Sequence, residues 1–206
     1  MVPVIRAAAL ALALALAGPA AAHDRAASAA APAAGVAADT GAGFLAGIGG
    51  PFALTDQTGA RRTEADPQGR MQLLFFGYAN CRSICPVALP LMAEATRALD
   101  AGGLAVTPVM VTVDPARDTV RTIGPPLAAQ HPRFVGLTGT EAELARARDA
   151  FQVEHSVVFE DPEYGPVFAH GSHIYVLDAQ GGVLTLLPPI LGAARLAQIV
   201  RGYAGR

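Results

Sequence analysis

Two uninterrupted apolar runs predict a sheet whose central strands are buried. Residues 71–76 and the valine-rich segment 105–113 each suit a strand that is covered on both faces. Between them, apolar residues recur at helical spacing over 87–99, and Pro86 suits the first helical turn because its missing N–H costs nothing there. Pro90 fits less well and is expected to delay or kink this helix. Strand, helix and strand at this spacing predict a βαβ unit with parallel strands.

The second half of the chain predicts shorter elements. The segment after position 118 has a helical pattern that the Gly-Pro-Pro sequence at 124–126 interrupts. Residues 134–137 suit a short strand. Residues 173–177 predict another strand, and a Gly-containing turn then leads to a returning strand over 183–187, so that these two strands form a hairpin.

Two further helices complete the predicted order of elements. Thr140 and Glu143 form a capping box, and the helix that they start should run to about residue 151. Residues 193–203 have the amphipathic spacing of a closing helix. With a short strand at 51–54 placed before the βαβ unit, this order predicts a thioredoxin-like α/β fold, in which helices flank a central mixed sheet that carries an N-terminal strand extension.

The N-terminal residues have the three parts of a secretory signal peptide. Arg6 supplies a positive charge, an apolar run of Ala and Leu follows over 7–18, and the small residues 19–22 offer a cleavage site after Ala22. The apolar run is shorter than the roughly 20 residues that a membrane span needs, and an uncleaved anchor is the alternative. Either interpretation exports the domain, so we expect a periplasmic protein, soluble or anchored to the inner membrane.

Composition divides the chain and excludes one class of partner. Residues 1–22 are the signal peptide or anchor, residues 23–43 are an Ala-, Gly- and Pro-rich segment that we interpret as a flexible tether, and residues 44–206 are the thioredoxin-like domain. The formal net charge is −2, every basic residue is Arg, and no basic run is present. Nucleic acid is therefore not expected as a partner.

A pair of cysteines, Cys81 and Cys85, lies between a buried strand and the N-terminus of the following helix. Unpaired N–H groups and partial positive charge at that end of the helix stabilise a thiolate, so we expect a lowered cysteine pKa and a higher reactivity. Open α/β sheets place ligands at this end of their strands. A disulfide across so short a loop would stabilise the fold only weakly, by roughly 2 kcal/mol. Redox chemistry, metal binding or both are therefore predicted here.

A metal site at these cysteines would need a further ligand. Two thiolates favour Cu(I) among the metals met outside the cytoplasm, and one histidine would complete a three-coordinate site. His170 precedes a predicted strand in a Gly-containing stretch, from which its side chain can turn toward the cysteines. His173, at the beginning of that strand, is either an alternative ligand or a core or edge residue. Zinc would instead need both cysteines and two histidines.

Two aspartates and two further histidines carry less specific signals. Asp114 and Asp118 could orient the site or help a partner dock. The sequence favours a simpler interpretation, in which Asp114 ends a strand and Asp118 caps a helix. His131 and His155 are expected on the surface or in loops.

Several motifs together resemble those of the Sco/SenC family of copper-binding, thioredoxin-like proteins. The similarity spans about residues 49–203. The motifs are the entry segment 49–56, the C-x-x-x-C-P pattern of Cys81, Cys85 and Pro86 after Phe76-Gly77-Tyr78, and V-D-P-x-R-D-T at 113–119. The combination is specific, whereas C-x-x-x-C alone would be weak evidence.

The resemblance implies a ligand set and a function. In the family two cysteines and one later histidine bind copper, which implies one copper ion, Cu(I) or Cu(II), held by Cys81, Cys85 and His170, with His173 as the fallback. It implies a metallochaperone, rather than an enzyme, that delivers copper or prepares the recipient thiols during assembly of the dinuclear copper centre of cytochrome c oxidase. The copper-centre subunit of that oxidase and thioredoxin-like reductants are the implied partners.

The chain departs from the family pattern beside the first cysteine. Arg82 and Ser83 stand where the family usually has Pro and an acidic residue, and Ala79 stands where Thr is common. The charge of Arg82 should lower a cysteine pKa and disfavour bound copper. A thiol–disulfide oxidoreductase that acts through Cys81 and Cys85, or a redox or copper sensor, is therefore kept as an alternative function.

Overall fold

The computed structural model describes residues 45–79 and 85–205 of the protein, and Cys85 by its backbone alone. These residues belong to one compact unit. The predicted signal peptide or anchor, the predicted tether and Cys81 lie outside the described residues. Among the helices that are described, none is both long enough and apolar enough to cross a membrane.

The described part of the chain alternates strands and helices. In chain order the elements are β1 (Leu54–Asp56), β2 (Arg61–Arg62), β3 (Gln72–Gly77), α1 (Cys85–Ala101), β4 (Thr107–Thr112), α2 (Gly124–Gln130), β5 (Val135–Thr138), α3 (Glu141–Ala150), β6 (His155–Asp161), β7 (Gly165–His170), β8 (Ile174–Leu177), β9 (Val183–Leu187), a 3₁₀ turn (Pro189–Leu191) and α4 (Ala193–Ala204).

A seven-stranded mixed sheet forms the centre of the domain, in the order β2-β1-β5-β4-β3-β8-β9. β4 runs parallel to β3, in a register from Gln72 opposite Thr107 to Gly77 opposite Thr112, and parallel to β5 as well. β8 is antiparallel to β3 and to β9. The predicted βαβ unit and the predicted hairpin of β8 and β9 are both confirmed, and so is the α/β fold class.

The core lies where the apolar runs predicted it. Every residue of β3 and of β4 is buried, and α1 and α4 pack against each other beside these strands. The apolar faces of the two helices bury Met92 and Leu99 from α1 and Leu196 and Val200 from α4. Pro90 lies inside α1 with its ring exposed, and the helix begins before it and continues through it, so it does not delay the helix.

The segment around the Gly-Pro-Pro sequence differs from the prediction. Residues 119–123 form turns, and α2 begins at Gly124 with prolines at its first positions. The prolines therefore start this helix rather than interrupt one, because an N–H missing from the first helical turn leaves no bond unmade. The capping box is confirmed: the hydroxyl of Thr140 accepts from the backbone N–H of Glu143, and the carboxylate of Glu143 accepts from the backbone N–H of Thr140 at 2.8 Å.

A second sheet, which the sequence did not predict, consists of β6 and β7 alone. These antiparallel strands pair from His155 opposite His170 at one end to Asp161 opposite Gly165 at the turn. In the turn, the carboxylate of Asp161 accepts hydrogen bonds from the backbone N–H groups of Glu163 and Tyr164. Gly165 ends the turn with a φ of +75°, which only glycine adopts readily. The end of this β6–β7 hairpin opposite the turn carries His170, the predicted histidine ligand.

Candidate metal centre

Residues 78–85, here named the cysteine segment, follow the end of β3 at Gly77 and finish with Cys85, the first residue of α1. Cys85 is the first residue of α1, so its backbone lies at the end of the helix that carries unpaired N–H groups and partial positive charge. A strand therefore ends before the cysteines and a helix begins at Cys85, as the sequence predicted. The side chains of Cys81 and Cys85 lie outside the described residues, and their role as ligands stays a prediction.

The structure brings His170 to the beginning of the cysteine segment. The imidazole lies edge-on to the ring of Tyr78, with centroids 5.6 Å apart, and edge-on to the ring of Phe75, with centroids 5.8 Å apart. Tyr78 precedes Cys81 by three positions in the chain. The Nδ1 atom of His170 lies 3.2 Å from the carbonyl oxygen of Gly171, and because a carbonyl oxygen only accepts, a hydrogen bond at this contact places the proton on Nδ1.

His173 occupies a different environment. It is exposed and immediately precedes β8, whereas His170 is the last residue of β7 and is half-buried among aromatic rings. Of the two histidines, His170 is thus the one whose ring contacts Tyr78, three positions before Cys81. The sequence placed His170 in a Gly-containing stretch before a strand; the structure places it at the end of a strand that the sequence did not predict.

Arg117 joins the β6–β7 hairpin to the base of the cysteine segment. Its guanidinium donates to the carboxylate of Asp114, to the carbonyl of Tyr164 and, at 2.9 Å, to the carbonyl of Pro166. The same guanidinium lies 5.7 Å from the centroid of the Tyr78 ring, within the range of a cation–π contact. Sequence reasoning gave Arg117 no role of its own, although the V-D-P-x-R-D-T motif that contains it was the available signal.

Asp118 is a buried anchor for the chain just before the cysteines, and its predicted role as a helix cap is wrong. Its carboxylate accepts from the backbone N–H of Ala79 at 2.9 Å and from the hydroxyl of Thr112 at 2.8 Å. Only 2% of Asp118 is exposed, and this burial raises the pKa of its carboxyl group. α2 begins several residues later, so no helix starts where Asp118 could cap it.

Asp114 follows the end of β4, as predicted, and has a further role. Only 2% of this residue is exposed, and its carboxylate pairs with the guanidinium of Arg117. Its backbone N–H donates to the hydroxyl of Thr112 at 2.9 Å. Asp114 thereby supplies the negative charge that holds Arg117 beneath the hairpin, a role that its place at a strand end did not reveal.

Two histidines expected on the surface or in loops are placed otherwise. His131 is buried at the end of α2, with 6% of the residue exposed. His155 begins β6, and its ring stacks on that of Phe168 with centroids 5.0 Å apart while Nε2 lies 3.0 Å from the carbonyl oxygen of Val113. Burial lowers the pKa of both imidazoles. His155 thus has an aromatic and a backbone partner of its own.

The described side chains do not form a metal site among themselves. Over residues 45–79 and 86–205, whose side chains are described, no group of three or more His, Asp, Glu or Cys side chains could hold a metal ion. The imidazole of His170 contacts the ring of Tyr78, at the start of the cysteine segment. Two thiolates with one imidazole form a soft, low-coordination donor set that suits Cu(I).

Comparison with known proteins identifies close structural relatives. The SCO1/SenC family model matches residues 41–205. An SCO2-like protein of Rickettsia felis is 36% identical over 140 residues, which are 66% of this chain and 67% of that protein. The copper-bound ScoI structure of Arabidopsis thaliana has a TM-score of 0.72 at 28% identity and covers 77% of this chain and 99% of its own. The copper-bound ScoI structure of Bradyrhizobium japonicum has a TM-score of 0.67 at 32% identity, and the match covers 76% of this chain and 99% of that chain. These similarities confirm the thioredoxin-like fold.

Proposed function

Because this chain belongs to the SCO1/SenC family, we propose that it is a copper metallochaperone whose cargo is one copper ion, bound by Cys81, Cys85 and His170. The observation that carries the proposal is the contact of the His170 ring with Tyr78, at the base of the cysteine segment. The copper-bound relatives support copper as the metal. The family resemblance supports the copper-centre subunit of cytochrome c oxidase as the recipient, with the protein taking part in assembly of its dinuclear copper centre.

Transfer of copper would proceed by exchange of ligands. Thiolates of the recipient replace Cys81, Cys85 and His170 one at a time, so that the ion is never released into water. Both cysteines must be reduced and deprotonated to bind, and a disulfide between them would prevent loading. Thioredoxin-like reductants would restore the two thiols. The low coordination number of Cu(I) favours such exchange, because an incoming thiolate finds an open position on the ion.

The compartment follows from the N-terminal residues and is part of the proposal. The signal-peptide pattern of residues 1–22 supports export to the periplasm, as a soluble protein or one anchored to the inner membrane. A periplasmic protein would reach the dinuclear copper centre of the oxidase from the periplasmic side of the membrane. Cleavage would be measured by mass spectrometry of the protein purified from the periplasm, and a mature N-terminus at His23 is the expected result.

The test of the function is an anaerobic Cu(I) titration of the reduced protein against a competing chelator. The wild type is expected to bind one Cu(I) per chain, and His170→Ala is expected to weaken binding by on the order of tenfold or more, since one of three ligands is lost. His173→Ala is the matched control and should bind as the wild type does, because His173 is exposed and lies outside the aromatic environment of His170. Equal affinity of wild type and His170→Ala would contradict the proposed ligand set.

One observation favours a second candidate function, a thiol–disulfide oxidoreductase. Cys85 is the first residue of α1, and this helix end together with the charge of Arg82 would stabilise a thiolate that attacks a partner disulfide. The second cysteine would then resolve the mixed disulfide. The enzyme would be favoured over the metallochaperone by two results together. The protein binds no copper, and it reduces the disulfide of a substrate protein rapidly, at a rate that His170→Ala does not change.

A further inference from the structure

Exposed apolar side chains are concentrated on the β6–β7 hairpin. In the described part of the chain, the large hydrophobic residues that are exposed are Val87, Val157, Val158, Phe159, Tyr164 and Ile190. Four of these six lie in the hairpin. Val157, Val158 and Phe159 are consecutive, with 53%, 63% and 53% of each residue exposed. A contiguous run of this kind is unfavourable on a free surface and marks a site of interaction. We name Val157, Val158 and Phe159 the hairpin patch.

The hairpin patch is held in a fixed place. On β7, Phe168 packs edge-on against the ring of Tyr78, with centroids 5.5 Å apart. At the turn, Arg117 donates to the carbonyls of Tyr164 and Pro166. The register of the two strands shifts between Val157 and Phe159, which inserts Val158 as an extra residue. One strand is thus fixed on the domain while the other presents the patch to solvent.

The patch is continuous with the candidate metal centre. β6 begins at His155, directly opposite His170, and reaches Val157 two residues later. At about 3.3 Å per residue, the patch begins roughly 7 Å along the strand from the position opposite His170, the proposed ligand. A protein seated on the patch would therefore bring its own thiols within reach of the cysteine segment.

The charged residues of the hairpin and its N-terminal flank are all acidic. Glu154, Glu160, Asp161 and Glu163 lie close to the patch in the chain, and residues 154–170 contain no Lys or Arg. Arg117, which lies beneath the turn, is already paired with Asp114. Two copies of this surface facing each other would bring like charges together, and anionic lipid head groups would be repelled. The charges fit a protein surface that carries basic side chains around an apolar centre.

We propose that the hairpin patch is the docking surface for the protein that receives copper, and that the recipient presents an apolar surface ringed by Arg or Lys beside its own copper-binding thiols. This inference rests on the proposed function, since it names the partner surface of the same site. The apolar centre provides affinity, whereas the acidic rim steers the approach of the recipient and fixes its orientation.

The test uses the full-length mature protein and, as the probe, the purified and reduced soluble copper-binding domain of the cytochrome c oxidase copper-centre subunit from the same organism. The patch variant is Val158→Ser/Phe159→Ser, and its matched control is Ile190→Ser, in which an exposed side chain outside the hairpin is replaced. The charge variant is Glu160→Gln, with Glu94→Gln on the exposed face of α1 as its control. Calorimetry gives the Kd of each pair, and stopped-flow mixing gives the association rate.

The patch variant is expected to raise the Kd by roughly tenfold or more, as replacing central apolar residues of an interface does. Glu160→Gln is expected to slow association by a few-fold and to weaken its dependence on salt. Ile190→Ser and Glu94→Gln should leave both quantities unchanged. All four variants replace exposed side chains, so a matching thermal unfolding curve and an unchanged Cu(I) affinity are expected for each.

The outcomes separate this proposal from the proposed function. A patch variant that binds the recipient as tightly as the wild type overturns the docking surface and leaves copper binding standing. A wild-type dimer in sedimentation equilibrium that the patch variant abolishes also overturns it, because the patch would then join two copies of this chain. Failure of the wild type to bind Cu(I) overturns the metallochaperone, and the Kd for the metal-free pair still decides whether the patch docks the recipient.

Discussion

Replacement of Arg117 by Gln is expected to destabilise the protein by about 3 kcal/mol. The substitution removes the cation from Asp114, a residue that is 2% exposed, and the donors from the carbonyls of Tyr164 and Pro166. Breaking a buried ion pair costs about 3–5 kcal/mol. Since 26% of the Arg117 side chain is exposed, water screens this pair, and we take a discounted value of ~1–2 kcal/mol for it. The two carbonyl bonds add about 1 kcal/mol each.

Urea denaturation followed by circular dichroism measures this loss. With a slope of roughly 2 kcal/mol per molar urea, a loss of about 3 kcal/mol lowers the midpoint by ~1.5 M. Arg117→Lys keeps a charge near Asp114 but not the planar fork, so it should recover only part of the loss. The matched control is Arg146→Gln on the exposed face of α3, which should change stability by less than about 0.5 kcal/mol.

Copper binding provides a second and independent measurement on the Arg117 variants. Arg117 fixes the turn of the hairpin whose other end carries His170, so its loss should weaken Cu(I) binding in the wild-type background. In the His170→Ala background the same substitution should have little further effect on Cu(I) affinity, since the ligand that it positions is absent. A urea midpoint for Arg117→Gln that equals that of Arg146→Gln would refute the whole argument.

Two further predictions concern buried groups away from the cysteines. Burial, together with the charge of Arg133, lowers the pKa of His131 below its value in the unfolded chain, although the charge of Asp100 opposes this shift. The stability that the neutral imidazole contributes is therefore complete above about pH 6.5 and is lost as the pH falls below that value. Urea midpoints compared at about pH 7.5 and about pH 5.5 should show a smaller decrease for His131→Gln than for the wild type, and equal decreases would contradict the assignment. Tyr175→Phe removes the hydroxyl that donates to the carbonyl of Phe151 at 2.9 Å in the core and should cost about 1–3 kcal/mol, with an unchanged urea midpoint as the contrary result. Burial also raises the pKa of Tyr175 to about 12, so the change in its ultraviolet absorbance should occur at a higher pH than that of an exposed tyrosine.

The elements predicted well from sequence are those in which one local signal decides the structure. β3 and β4 are buried on both faces, so their apolar runs needed no tertiary information. The capping box of Thr140 and Glu143 is likewise complete within four residues. The β6–β7 hairpin was missed because exposed Val, Phe and Glu residues alternate irregularly in β6 and Arg117 holds the turn from a distant part of the chain. The Asp161-Pro and Gly165 positions were local turn signals that could have indicated it.

The candidate site was predicted in part. His170 was chosen from its position before a strand together with the family resemblance, and the structure places its ring against Tyr78. Its role as a metal ligand stays a prediction. The role of Asp118 could not be deduced from local sequence, because its carboxylate accepts from Ala79, a residue 39 positions earlier. A helix cap is a local pattern, whereas an anchor for another segment becomes visible only after the chain has folded. The ligand roles of Cys81 and Cys85 remain predictions.

The hairpin of β6 and β7 forms a sheet of its own, apart from the seven-stranded one. Backbone pairing in the large sheet therefore places no demand on the residues of β6, and natural selection can alter them without shifting any register in the core. On the docking proposal above, exchange of residues 156–164 for those of a relative would change the recipient that is recognised, while His170 and the seven-stranded sheet stay as they are. The hairpin can thus vary between lineages while the core of the domain is conserved.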